Sequence, residues 1–136
     1  MTRVTYENPV GAAPAQGLYS HAGVVSGGRL AFVAGQLAVG ADGAVFGKND
    51  FAAQFRQVFD NLGDVLKGLG ADFDHVIKFT TYMVHSQDID SFMKLRKELF
   101  PTLFPTAVYP PNTLLMVDRL VKEEFLIEVE AVVALE

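Results

Sequence analysis

Two acids near the end of the chain have the type and spacing to do chemistry. Glu128 and Glu130 sit in "FLIEVEAVVA", residues 125–134, a run that is otherwise apolar and has the composition of a strand. In a strand, residues two apart point the same way, roughly 6–7 Å from one another. Phe125, Ile127, Val129, Ala131 and Val133 then make one apolar face, and both carboxylates share the other with Leu126, Val132 and Ala134. A carboxyl group works as a general acid or base when its pKa approaches the working pH. Roofing it with apolar surface raises that pKa, because lost hydration penalises the charged form. The competing reading at this point is a solvated strand face.

Other chemistries are poorly provided for. The 136 residues contain no cysteine, which removes disulfides, a thiol nucleophile and zinc–thiolate sites. His21, His75 and His85 show no metal-ligand spacing and read more simply as surface or strand histidines. Net charge is −5 and the eleven basic residues are scattered, without a Lys/Arg run or a basic-aromatic stripe. A nucleic-acid binder needs a basic footprint to displace counterions, so nucleic acid is not an expected partner.

The elements that must position the acids follow from periodicity. "AGVVSGGRLAFVAGQLAV" reads as a hairpin about Gly27-Gly28, and Asp42-Gly43 marks a second turn. Asn49 or Asp50 caps a helix that places Phe51, Phe55, Val58, Phe59, Leu62, Val65, Leu66 and Leu69 at three-and-four spacing, with Gly70 as its stop. "HVIKFTTYMVH" is a strand by its β-branched and aromatic content. Asp88 or Asp90 caps a second helix over "SFMKLRKELF", with Phe92, Leu95 and Leu99 inward and Pro101 ending it or beginning its last turn. "TLLMVDRL" is the next strand, joined to the glutamate strand across "VKEE".

The order β-β-α-β-α-β-β in one domain of residues 1–136 predicts an α+β fold, a single sheet with both helices on one face. The opposite face, carrying Glu128 and Glu130 among apolar residues, is left uncovered by a monomer, which points to an oligomer. "MTRVTYENPVGAAPAQG" has no signal-peptide apolar core, and the longest apolar stretches, about ten residues, are too short to span a bilayer. A cytoplasmic protein without a membrane partner is expected.

Three segments, "GLYSHAGVVSGGRLAFVAGQLAV", "FDNLGDVLKGLGADFDHVIKFTTYMV" and "DRLVKEEFLIEVEAVVA", resemble in order and spacing the RidA/YjgF (Rid, L-PSP) family, from about Gly17 to Ala134. The resemblance implies a chorismate-mutase-like fold and a homotrimer with a barrel-like core, small-molecule clefts between subunits, and no metal or organic cofactor. It implies hydrolysis of reactive enamines and imines to 2-keto acids and ammonia. Glu128 takes the place of the family's cleft glutamate, and Tyr19 that of the tyrosine lining the cleft. Gly35 matches a glycine that shapes the pocket, while a bulge or strand-end glycine accounts for it equally well. Glu130 reads as a structural or interface acid paired with a cation.

One departure bears on the substrate. Deaminase-type members carry an arginine that grips the substrate carboxylate, and counting from the second helix puts Thr113 in its place, after Pro111. Leu115 stands where many members have cysteine. A hydroxyl supplies a neutral hydrogen bond of about 1 kcal/mol, whereas losing one partner of a buried charge pair costs about 2–5 kcal/mol, roughly thirty-fold to several thousand-fold in binding. Arg96, in the second helix, is a cation that can substitute; its plainer reading is a solvated helical arginine. Arg119 reads as structural. The expected function is therefore an enamine/imine deaminase-like hydrolase with a diverged cleft at the subunit interface, lined by Tyr19, Gly35, Thr113 and Leu115. The alternative is a metabolite-binding trimer without turnover. An endoribonuclease or translation inhibitor fits the acidic charge less well.

Overall fold

The computed structural model describes residues 4–136. Helix α1 runs from Phe51 to Gly68 and buries Phe51, Phe55, Val58, Phe59, Leu62 and Leu66, the three-and-four stripe expected of it. Asp50 caps it, its carboxylate accepting from the Ala53 N–H at 3.0 Å. Gly70, with φ at +75°, turns the chain out of the helix. Leu69 was expected to face inward but lies past the last helical turn and is exposed. Helix α2, Ile89–Leu103, is entered through a short 3₁₀ turn at Ser86–Asp88, and Pro101 begins its last turn.

Strands β1 (Val4–Glu7), β2 (Ala22–Val25), β3 (Arg29–Gln36), β4 (Val76–Met83), β5 (Asn112–Met116) and β6 (Ile127–Leu135) form two sheets. The larger has the order β3-β6-β4-β5, with β4 and β5 parallel and the other pairs antiparallel. The observed order is thus β-β-β-α-β-α-β-β, with one strand more than the sequence pattern predicts and a second, two-stranded sheet. The expected β2–β3 hairpin ladder does not form. Gly27 and Gly28 do turn the chain with positive φ, but β2 pairs with β1 and β3 pairs with β6. Close approach to β4 holds β2 in its place: a Cβ on Gly23 would overlap the Ile77 carbonyl oxygen. The β1 strand is four residues long, too short for its alternation to register, and Tyr6 ties it to β4 by donating to the Val76 carbonyl at 2.6 Å.

Both helices share a core with one face of the larger sheet. Ile127, Val129, Ala131 and Val133 of β6 and Phe79 and Met83 of β4 are buried there with the phenylalanines of α1 and α2. The rings interlock, with centroids 4.9 Å apart for Phe55 and Phe59, 5.9 Å for Phe59 and Phe79, and 5.3 Å for Phe100 and Phe104.

One polar side chain is set into this core to hold the entry of β6. The Gln54 amide, fully buried in α1, donates to the Gly47 carbonyl at 3.1 Å and the Glu124 carbonyl at 2.8 Å, and accepts from the Leu126 N–H at 2.8 Å. Gln54→Leu would leave those backbone groups without their partner, at about 1–3 kcal/mol each where they stay dry. It should lower the urea midpoint well beyond the effect of Asp50→Ala, which removes a cap worth about 1 kcal/mol. Equal midpoints for the two variants would contradict this role.

Candidate functional site

The strand alternation that buries the odd residues of β6 puts Glu128 and Glu130 on the sheet face away from the helices. Both are half-buried. Across the ladder Glu128 pairs with Tyr82 and Glu130 with Thr80. One strand further, Tyr82 pairs with Leu115 and Thr80 with Thr113. Two rows therefore cross the open face, Glu128–Tyr82–Leu115 and Glu130–Thr80–Thr113, each spanning two strand spacings, about 10 Å. On the other side of β6, the register of β3 shifts between Val33 and Gln36 and brings Gly35 against Glu128. A Cβ at Gly35 would overlap Glu128 Oε2, so the glycine makes room for this carboxylate. Four of the residues singled out from sequence, Gly35, Thr113, Leu115 and Glu128, share this face.

Tyr19 is not among them within a single chain. It lies in the segment joining β1 to β2, where its Oη accepts from the Gln16 N–H at 3.0 Å and its ring stands edge-on to His21, with centroids 6.1 Å apart. Arg96 also departs from expectation. It is not a solvated helical arginine but is 2% exposed, under that same segment. Arg119 forms an exposed ion pair with Glu123 at 3.3 Å. His75 caps a 3₁₀ turn with Asp72. No group of His, Asp and Glu among the described residues could hold a metal ion.

The acids have distinct surroundings. The Tyr82 hydroxyl donates a hydrogen bond to Glu130 Oε1, so Glu130 takes a phenol where a cation was expected. That bond, more than burial or the nearby charges, holds the Tyr82 pKa above 10. A shallow cavity of about 190 Å³ beside Glu130 is lined by Lys78, Thr80, Ala131 and Val132. Among the described residues Glu128 has no such donor. Burial, and secondarily the charge of Glu130, raise its pKa above the ordinary 4.5. A carboxyl in this state can hold a proton for delivery and, once ionised, orient a water. Tyr82 and Thr80 were missed by sequence reasoning, although the alternation in "KFTTYM" places them on one face.

An α+β chain with this mixed sheet, and an acid shaped by a bulge glycine on its open face, defines the class. The chain belongs to the RidA/YjgF family: the pattern described as Endoribonuclease L-PSP matches residues 10–135. A RutC family protein of Pyrococcus horikoshii is 33% identical over 116 residues, 85% of this chain and 86% of the relative. The human 2-iminobutanoate/2-iminopropanoate deaminase is 30% identical over 94 residues, 69% of this chain and 67% of that protein. Among solved structures, the Rid-family protein YyfB of Yersinia pestis superposes with a TM-score of 0.88 at 32% identity, over 98% of this chain and 100% of the other.

The raised pKa has a consequence for stability. Folded Glu128 keeps its proton to higher pH than the unfolded chain does, so stability at this position falls as pH rises through 4.5 and above. Glu128→Gln removes the ionisation and should raise the thermal midpoint relative to wild type at pH 7, with the gap closing at pH 4 and below. A gap independent of pH would contradict the assignment.

Proposed function

We propose that the protein is a Rid-type hydrolase of enamines or imines, acting in clefts formed between subunits of a homotrimer, with Glu128 as the catalytic acid–base group. The observation that carries this reading is the Glu128 carboxyl, given space by Gly35 and kept partly dry on an open sheet face. The deaminase relative, matched over two thirds of this chain, supports the reaction class. Assembly is supported by the apolar side chains on the same face: Phe32 is 76% exposed, Leu30 49% and Leu115 42%. A neighbouring subunit would cover them, roof Glu128 and bring Tyr19 or another group of its own to the cleft.

Hydrolysis of a C=N bond asks for little. Water, oriented by the ionised Glu128, adds to the imine carbon and yields a proton to the carboxylate. Glu128 passes that proton to the nitrogen to give a carbinolamine, then takes the proton of the new hydroxyl and hands it to the amine, so that the C–N bond breaks and ammonia leaves a carbonyl product. No step needs a metal or an organic cofactor. Gly35, Thr113 and Leu115 line the substrate's side of the face in this reading. Thr113 itself favours a second reading, a small-metabolite-binding trimer without turnover, because it lies where deaminase-type members place the arginine.

Light scattering at micromolar concentration should give three times the chain mass, and a monomer would defeat the cleft. With 2-aminoacrylate generated in situ by an amino-acid lyase, turnover by wild type should be weak. Glu128→Gln should lower whatever turnover there is by roughly 10²–10⁴-fold. Thr113→Arg should raise it if only the anchor differs. An unchanged rate in the Glu128 variant would remove that residue from the mechanism, and complete absence of turnover on a panel of imines would favour the binding protein.

A further inference from the structure

Arg96 is charged, buried and without a counter-ion. It is 2% exposed, and its Nε, deep in the protein, has no hydrogen-bond partner. Among the described residues the hydrogen-bond partner of Nη2 is the thioether of Met93, at 3.2 Å, and the guanidinium carbon lies 5.1 Å from the centre of the Phe92 ring. Among the described residues no carboxylate pairs with it. A ring face and a sulfur are weak company for a group with five N–H donors. Burying a charge is costly unless it is paired, and an apolar side chain of similar length would fill the place without that cost. Burial accordingly lowers its pKa, with Tyr19 acting in the other direction.

A Cβ at Gly17 would stand 2.5 Å from Nη2, so the segment over α2 passes directly across the end of the arginine. The hydrogen bonds of that segment run within it: Ala12 N–H to Pro9 O, Gln16 N–H to Tyr19 Oη, Tyr19 N–H to Gly17 O, and the His21 ring to Ala13 O. None fastens it to α2. Nε and Nη2 occupy the same edge of the guanidinium, the edge that grips a carboxylate with two parallel N–H···O bonds. A carboxylate entering there would give the unpaired Nε an acceptor and Nη2 a stronger one.

We infer that Arg96, framed by Gly17 and Tyr19, is the anion anchor of this protein and binds a small carboxylate ligand on its Nε–Nη2 edge. The anion requirement follows from the unpaired guanidinium alone. That the ligand is a 2-oxo or 2-imino acid rests on the hydrolase reading above. Within one chain α2 packs on the helix side of the sheet and Thr113 lies on the open side, so Arg96 does not fill the β5 position and meets the Glu128 face only where a second subunit completes a cleft.

Calorimetric titration with 2-oxobutanoate and its neutral analogue 2-oxobutanamide tests this. Wild type should prefer the acid, and Arg96→Met should weaken acid binding at least about thirty-fold while removing the preference over the amide. Arg96→Lys, which keeps the charge but loses the planar fork, should fall between the two. Thr113→Val should change affinity by no more than about five-fold, the scale of a neutral hydrogen bond. Wild-type affinity in Arg96→Met, equal binding of acid and amide by wild type, or binding of neither would overturn the inference. A folded Arg96→Met whose assembly mass falls below that of wild type would overturn it too, by showing that Arg96 serves an acidic side chain of a second copy. The outcomes separate from those of the hydrolase reading. Arg96-dependent binding without any turnover removes the hydrolase and keeps the anchor. Glu128-dependent turnover with unaltered binding in Arg96→Met does the reverse.

Discussion

The alternation of β6 is the constraint from which the rest of the site follows. Ile127, Val129 and Val133 are completely buried between the sheet and the helices, and their loss to solvent would expose a large share of the core. A slip of one residue would exchange the faces, placing Glu128 and Glu130 among the phenylalanines. Two carboxylates in that setting would cost far more than any strand pairing returns. The register is therefore fixed by the apolar residues, and the acids are carried to the open face as a consequence. Gln54 reinforces the same register from α1 by holding Glu124 and Leu126, the residues that lead into the strand.

On that face the two acids are made unequal by their neighbours. Glu130 accepts a hydrogen bond from the Tyr82 hydroxyl. Glu128 has the backbone of Gly35 at its side and the charge of Glu130 nearby, and neither supplies a donor to it. A hydrogen-bonded acid next to a partly dry one whose pKa is raised gives two carboxyls unlike surroundings, and such pairs recur where acid–base work is done. Covering by a second subunit would dry Glu128 further and strengthen the inequality.

Much of this was legible in the sequence. The stripe of α1, a cap at Asn49 or Asp50 and the two-sided pattern of "FLIEVEAVVA" were expected, because each rests on periodicity or cap chemistry that a single sequence carries. What failed rests on contacts between segments far apart in the chain. Which strand β2 pairs with is decided by the approach of Gly23 to Ile77, and nothing in "SGG" distinguishes a hairpin turn from a change of sheet. Glu130 was assigned a cation because a lone acid suggests one, whereas its partner is a tyrosine on a neighbouring strand. Arg96 was read as solvated because an arginine between lysines on a helix usually is. Its burial depends on the 8–21 segment folding over α2, which leaves no periodic trace.

The central claim, that Glu128 is an acid held high by partial burial and by Glu130, is open to direct measurement by following the carboxyl carbon of Glu128 through a pH titration by nuclear magnetic resonance. The account predicts a midpoint above 4.5 in wild type that moves down in Glu130→Gln. A midpoint at or below 4.5, unmoved by that substitution, would contradict it.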